Sequence, residues 1–300
     1  MKATKTVPAD MLDNENETIF KNDFFKRFKL RHAPAPLQLT DKIEKDYKFP
    51  TFYGNVTCAM GIFMCSYKKA AKLVAEKLNP SVKPVRMTRG RSIIAFSCYE
   101  YKNVMGVAPY NEIAMAIPVM VNAQFSPPLL PMIMNTFDHF GYYIAGMPVT
   151  SYENQLRGNK IWGLPKVTQD IDIKTEGNEC ITAAYEESGE PYLTLMLPTN
   201  GKPVHFNTTS NLYSRLDGRL LQSETSFKAT FNVTKNMKLL FKKYPEAEKE
   251  YLKIGNTTSA KMLKELEIEA VPFQCRYAEG MSSCFDLPRR KVQKWFEQIR

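Results

Sequence analysis

The sequence predicts a β-rich α+β fold built as a single domain with peripheral helices, and three observations lead to it. Runs rich in β-branched, aromatic and aliphatic residues at 92–101, 113–122, 142–149 and 273–285 read as strands. Turn signals at Glu176-Gly177-Asn178, Ser188-Gly189 and Asp217-Gly218 fold further segments into hairpins and a meander. No repeat and no Gly/Ser linker divides the 300 residues, a length that one large core can serve.

Composition narrows the function classes. A hydrophobic share of 44% with 24% charged residues is that of an ordinary globular chain. The most apolar run, residues 113–122, is about half the length a membrane span needs, and Pro118 interrupts it. The N-terminus lacks an apolar core and carries Asp10, Asp13, Glu15 and Glu17, which argues against a secretory or mitochondrial leader. Cys58, Cys65, Cys98, Cys180, Cys275 and Cys284 lack CxxC spacing and sit mostly among apolar neighbours, and Cys58, Cys65 and Cys98 read as buried thiols of a reducing, cytoplasmic compartment. His32, His139 and His205 are far apart, so no metal site and no cofactor is expected. The net charge of +10 is spread over lysines that alternate with acids, without a nucleic-acid motif, and solvated faces explain it better than a nucleic-acid partner.

Residues 1–48 read as an arm. Within 19–30, Phe20, Phe24 and Phe28 recur at helical spacing beside Phe25, predicting an amphipathic helix. A membrane-surface helix has this look, but packing on the body or on a neighbouring subunit is the preferred reading. The body, 49–300, opens with a strand and a helix capped by Ser66, with Tyr67, Ala70, Ala71, Val74 and Leu78 on one face and a stop at Asn79-Pro80. Pro118 within a strand predicts a bulge or an edge, and 126–131 is a loop. Thr150 and Glu153 are spaced as a capping box for a short helix that Gly158 can end. The longest helical pattern spans 235–266, interrupted near Gly255, and a last helix is expected over 289–299.

One lysine stands apart. Lys166 lies among Trp162, Leu164, Pro165 and Val167, and Pro165 stiffens the backbone in front of it. A free lysine is only about 0.04% neutral at pH 7. An amine held in apolar surroundings loses its proton more readily and becomes a nucleophile for Schiff-base chemistry.

The segment Gly158-Asn159-Lys160-Ile161-Trp162-Gly163-Leu164-Pro165-Lys166 resembles the lysine segment of the acetoacetate decarboxylase family, in which a Pro-Lys pair carries the Schiff-base lysine eight residues after a glycine. Acetoacetate decarboxylase is the usual illustration of a lysine activated in this way. Tyr110 to Val119 is similar to the family segment that places an active-site glutamate, here Glu112, ahead of Ile117-Pro118-Val119, and Leu287-Pro288-Arg289 matches more weakly before the final helix. The resemblance runs from about Phe52 to the C-terminus and implies an antiparallel β-cone or barrel-like sheet with peripheral helices, a buried lysine and a homo-oligomer. It implies catalytic roles for Lys166 and Glu112 and a substrate-binding surface containing Phe96, Ser97, Met115, Tyr142, Met147, Trp162 and Leu164.

Three departures bear on substrate. Val167 replaces the second lysine of the family's decarboxylases, Ser97 replaces a glutamate, and residues 53–66 lack the expected arginine. A substrate carboxylate left unpaired in an apolar pocket is costly. The expectation is therefore a Schiff-base lyase acting on a keto acid or other carbonyl substrate, with feeble turnover of acetoacetate and a preference for longer or uncharged carbonyl compounds. The alternative is a non-catalytic or aldolase/dehydratase-type member that binds an apolar carbonyl metabolite.

Overall fold

The computed structural model describes residues 1–8, 15–123, 127–134, 137 and 139–289. Short strands β1 (Arg31–His32), β2 (Leu37–Thr40), β3 (Ile43–Lys45) and β4 (Lys48–Phe49) lead into the body. There follow β5 (Thr51–Ser66), α1 (Tyr67–Lys77), β6 (Val82–Pro84), β7 (Arg91–Val104), β8 (Tyr110–Val121), α2 (Leu130–Ile133), β9 (Phe140–Val149) and α3 (Tyr152–Trp162). The second half carries β10 (Lys166–Thr168), β11 (Ile171–Glu176), β12 (Glu179–Tyr185), β13 (Pro191–Pro198), β14 (Lys202–Leu216) and β15 (Arg219–Lys235), then β16 (Leu252–Ile254), α4 (Lys261–Glu265) and β17 (Pro272–Phe285).

The β-rich α+β class is what the chain adopts. Strands run in the order β9-β14-β15-β17-β5-β7-β8, and β8 pairs again with β9, closing a seven-stranded barrel. All its pairings are antiparallel except β9 with β14. Closure gives the seven barrel strands no open edge, while β6 and β10 extend from β8 and β9 as side branches. Pro118 sits between Ala116, the last residue paired with β7, and Val119, the first paired with β6, so on that side it occupies a gap in the ladder, while on the other side it pairs with Tyr142 of β9.

Alternation along the strands separates two packed layers. One contains Val56, Cys58, Tyr101, Tyr110, Ala114, Met147, Leu212, Phe231 and Ala278 and draws on all seven strands, as a barrel interior must. The other contains Phe63, Ile94, Phe96, Ile113, Met115 and Tyr143, packed outside the barrel against Ala70 and Val74 of α1 and Leu193 and Leu195 of the four-stranded sheet β11-β12-β13-β16. Among the described residues no helix is long and apolar enough to cross a membrane.

Three local expectations need correction. Residues 19–30 do not form one amphipathic helix: a single 3-10 turn, Phe25–Arg27, follows a bend in which the Asn22 side chain accepts from the Phe24 N–H at 3.0 Å. An Asn side chain that bonds nearby backbone competes with helix, and Phe20, Phe24 and Phe25 instead pack on Phe52, Met105 and Cys284 of the body. The long helix over 235–266 is replaced by a 3-10 turn, strand β16 and the short α4. There β16 joins the sheet beside β13, pairing Ile254 with Leu193 and Leu252 with Leu195, so tertiary pairing overrides local pattern. Gly158 does not end its helix; α3 runs on to Trp162 and stops at Gly163, whose φ of 61° suits glycine. Of the last expected helix, 289–299, all but Arg289 lies outside the described residues.

Candidate active site

Helix α3 builds the site. Ser151 caps it, its Oγ accepting the Asn154 N–H at 3.2 Å, while Thr150 instead accepts the Asn111 N–H through its Oγ1 at 2.9 Å. Glu153, expected in a capping box, is fully buried and accepts from Lys45 Nζ at 2.9 Å and the Tyr47 hydroxyl at 2.6 Å. This ties the arm to α3. After Gly163 the chain doubles back: the Leu164 N–H bonds the Gly158 carbonyl at 3.1 Å, and the Lys166 N–H is shared between the Leu164 carbonyl at 2.8 Å and Asn159 Oδ1 at 3.2 Å. Lys166 then opens β10, parallel to β9 and opposite Met147.

The stem of Lys166 lies across the helix at Gly158. A Cβ there would stand 2.8 Å from Lys166 Cε and 2.9 Å from Cγ, with Cδ nearer still. Only a glycine lets the stem pass, which gives the spacing of glycine and lysine a physical reason.

The amine reaches Glu112 on β8. Lys166 Nζ and Glu112 Oε2 are 2.6 Å apart, and the residues are 7% and 2% exposed, so this is a buried ion pair. Asn154 Nδ2 approaches the same oxygen at 3.4 Å, and the Tyr101 hydroxyl donates to Glu112 Oε1 at 3.3 Å. Lys166 Nζ stands 5.9 Å from the centre of the Tyr110 ring. Around the pair the rings of Tyr53, Tyr101 and Tyr110 pack at tilted angles with centres 4.8–4.9 Å apart, and Tyr99 stacks on Tyr101. Burial pushes these phenols up, Tyr53 to about 12, so they stay neutral donors at physiological pH.

Burial pulls the Lys166 ammonium below the ordinary lysine value, more strongly than Glu112 pulls it back, and the Arg157 guanidinium lowers it further. Arg157 is fully buried one residue before Gly158. Its Nη2 donates to Thr51 Oγ1 at 2.8 Å, its Cζ lies 4.3 Å from the centre of the Tyr47 ring, and Nε and Nη1 have no hydrogen-bond partner among the described residues. Like charge disfavours the protonated amine, so Arg157→Met should raise the pH at which Lys166 becomes neutral. A pH–rate profile of Lys166 modification by a small aldehyde measures this: its acid limb should move to higher pH, and an unmoved limb would remove Arg157 from the site's electrostatics.

The expected lining residues divide. Ser97 shares the Glu112 face, being paired with Ala114 two residues along β8. Tyr142, Met147, Trp162 and Leu164 belong to the same interior layer. Trp162 is stacked on Phe285 at 4.8 Å with its Nε1 donating to the Asp286 carbonyl at 2.8 Å. Phe96 and Met115 are not brought to the site. They pair with each other across β7 and β8 and face the outer layer, because strand side chains alternate and both are an odd number of residues from Ser97 and Glu112 respectively. Val167, in place of the second lysine, is 50% exposed and points away from the amine. The residues that sequence reasoning did not assign are Tyr53, Tyr99, Tyr101, Tyr110 and Asn154. Their signal was present: Tyr99 and Tyr101 alternate on one strand face, Tyr110 precedes Glu112 by two, and Asn154 precedes Gly158 by one helical turn. Among the described residues no group of three His, Cys, Asp or Glu side chains converges as metal ligands would.

Residues 34–210 match the family model for acetoacetate decarboxylase. The fold is similar to the crystal structure of acetoacetate decarboxylase from Legionella pneumophila, with 12% identity, a TM-score of 0.51 and coverage of 80% of this chain and 86% of that one. It is also similar to the enduracididine biosynthesis enzyme MppR complexed with the condensation product of pyruvate and imidazole 4-carboxaldehyde, with 11% identity, a TM-score of 0.53 and coverage of 80% and 88%. At such identities the likeness is one of fold. No curated protein sequence matches the chain.

Proposed function

The chain belongs to the acetoacetate decarboxylase family, and on that premise we propose that it is a Schiff-base lyase in which Lys166 is the nucleophile and Glu112 its proton partner. What supports this reading above all is the buried Lys166–Glu112 pair at 2.6 Å, set in the segment that resembles the family's lysine motif.

Transfer of a proton from Lys166 Nζ to Glu112 turns two buried charges into two neutral groups, which burial favours. The neutral amine attacks the carbonyl carbon of the substrate, and the carbonyl oxygen takes up a proton to give a carbinolamine. Glu112, now an acid, protonates the departing hydroxyl, and water leaves a protonated imine on Lys166. In a β-keto acid the bond to the carboxylate then breaks. Its electron pair forms an enamine as the iminium nitrogen is neutralised, and carbon dioxide departs. Protonation at carbon and addition of water release the ketone and restore the amine. The tyrosines exclude bulk water and offer neutral donors. Ser97 in place of a glutamate favours a second outcome at the same imine, aldol or dehydration chemistry on a carbonyl substrate that loses no carboxylate. All six cysteines are free and buried, which supports a reducing, cytoplasmic setting.

Both outcomes pass through the imine, so oxygen exchange tests them together. Acetone incubated with the protein in oxygen-18 water should take up label faster than in buffer alone, since each cycle of imine formation and hydrolysis replaces the carbonyl oxygen. Exchange at the buffer rate would contradict the proposal. Carbon dioxide release from acetoacetate then separates decarboxylation from the other chemistries.

A further inference from the structure

Beyond the ion pair the barrel interior mixes small residues with large ones: β7, β8 and β15 turn inward Ala95, Ser97, Ala114, Ala116 and Ala229, among Met60, Ile62, Tyr142 and Phe231. A barrel of this size has an interior that side chains can just fill or that can hold one small ligand, and small residues leave the second option. Ala95, Ala114, Ala116 and Ala229 retain 8%, 7%, 9% and 8% of their surface although each lies within a closed strand ladder. The interior face therefore keeps room for water-sized molecules beside these alanines.

Arg276 is a cation that faces this space. Arg276 on β17 pairs with Met60 on β5, Met60 with Ser97 on β7, and Ser97 with Ala114 on β8. The adjacent row on the same face runs Ala278, Cys58, Tyr99, Glu112. Arg276 thus stands one row further into the barrel than the Lys166–Glu112 pair. It is half-buried, its guanidinium 4.8 Å from the centre of the Phe206 ring, with Nε and Nη2 donating to Gln274 Oε1 at 3.0 and 2.7 Å. Among the described residues no carboxylate forms an ion pair with it. The ionisable groups it feels are Tyr142 and Cys58, both neutral at physiological pH, while burial disfavours its charge. A partly desolvated guanidinium without a counter-ion, on the wall of an accessible space, is a receptor for an anion.

We propose that Arg276 binds a carboxylate remote from the reacting carbonyl, so that the lumen takes an elongated oxo acid with its carbonyl at Lys166 and its far end at Arg276. The Lys166 end rests on the reading given above; the Arg276 end does not. Two rows on one strand face are about 7 Å apart. A carboxylate adjacent to the reacting carbons, as in acetoacetate, cannot serve both ends, whereas one separated by several methylene groups can. The methylenes would lie against the alanines. The specificity expected from the sequence changes accordingly: a long apolar chain is retained, and a terminal charge is added.

Calorimetric titration of 7-oxooctanoate, levulinate and 2-octanone tests this. On the unmodified protein and on Lys166→Ala, 7-oxooctanoate should bind roughly tenfold or more tightly than 2-octanone, the effect of one charge-assisted contact, and levulinate should bind weakly. Arg276→Gln should erase the preference of acid over ketone, and Arg276→Lys should keep part of it. Equal binding of acid and ketone, or a preference that survives Arg276→Gln, would overturn the subsite. If Arg276→Gln does not fold, Arg276→Lys and the three-ligand comparison on the unmodified protein still decide. Binding to Lys166→Ala is non-covalent, so a failure of imine chemistry leaves this result unaffected. Conversely, a trapped imine without acid preference would reject Arg276 alone.

Discussion

Lys166→Ala should abolish carbonyl chemistry, a fall on the order of 10³-fold or more, and should also destabilise the fold. The first effect follows from removing the only cationic nitrogen paired with Glu112 among the described residues. The second follows from what stays behind. Glu112 is 2% exposed, and removing one partner of a buried ion pair typically costs about 3–5 kcal/mol. Asn154 and Tyr101 still donate to the carboxylate and offset part of this. The double variant Lys166→Ala/Glu112→Gln, with no uncompensated charge, should therefore be more stable than Lys166→Ala while remaining equally inactive. Urea denaturation and oxygen exchange, measured on the same three proteins, check both halves. Residual exchange in Lys166→Ala would place the nucleophile elsewhere.

Gly158→Ala separates position from stability because the two effects have opposite signs. Alanine in a helix interior is favoured over glycine by up to about 1 kcal/mol, so α3 itself should gain. The new methyl group, however, would occupy the space of the Lys166 stem, 2.8 Å from Cε. The amine end is held by Glu112, so the stem has to bow away, and a displacement of about 1 Å at a reacting group can cost on the order of 10²-fold in rate. Imine formation should slow by about that factor while the urea midpoint falls little. Unchanged kinetics would mean that Gly158 is there for reasons other than the lysine.

Much of this was legible in the sequence. The strands were visible as runs rich in β-branched, aromatic and aliphatic residues, and the lysine was visible as a charge among apolar neighbours behind a proline. Glu112 was visible through the likeness of residues 110–119 to the family's glutamate segment. What the sequence did not disclose depends on pairing at a distance. The helical pattern over 235–266 has a local signal, but β16 finds a better partner in β13. The phenylalanines of 19–30 have helical spacing, yet their burial on Phe52 and the Asn22 turn set the backbone. Period-two alternation, applied to Phe96 and Ser97 together, would already have placed them on opposite faces. Arg276 carried no local signal at all. Its role rests on a register through β17, β5 and β7, which only the closed barrel reveals.

The central claim is that the Lys166 amine forms an imine with a carbonyl substrate. Reduction with borohydride in the presence of 7-oxooctanoate or acetone, followed by peptide mass spectrometry, tests it most directly. A Schiff-base lysine requires one ligand per chain, seen as the ligand mass less one water plus two hydrogens, on the peptide that contains Lys166, with no trapping in Lys166→Ala. Label spread over the surface lysines, or the same yield from Lys166→Ala, would contradict it.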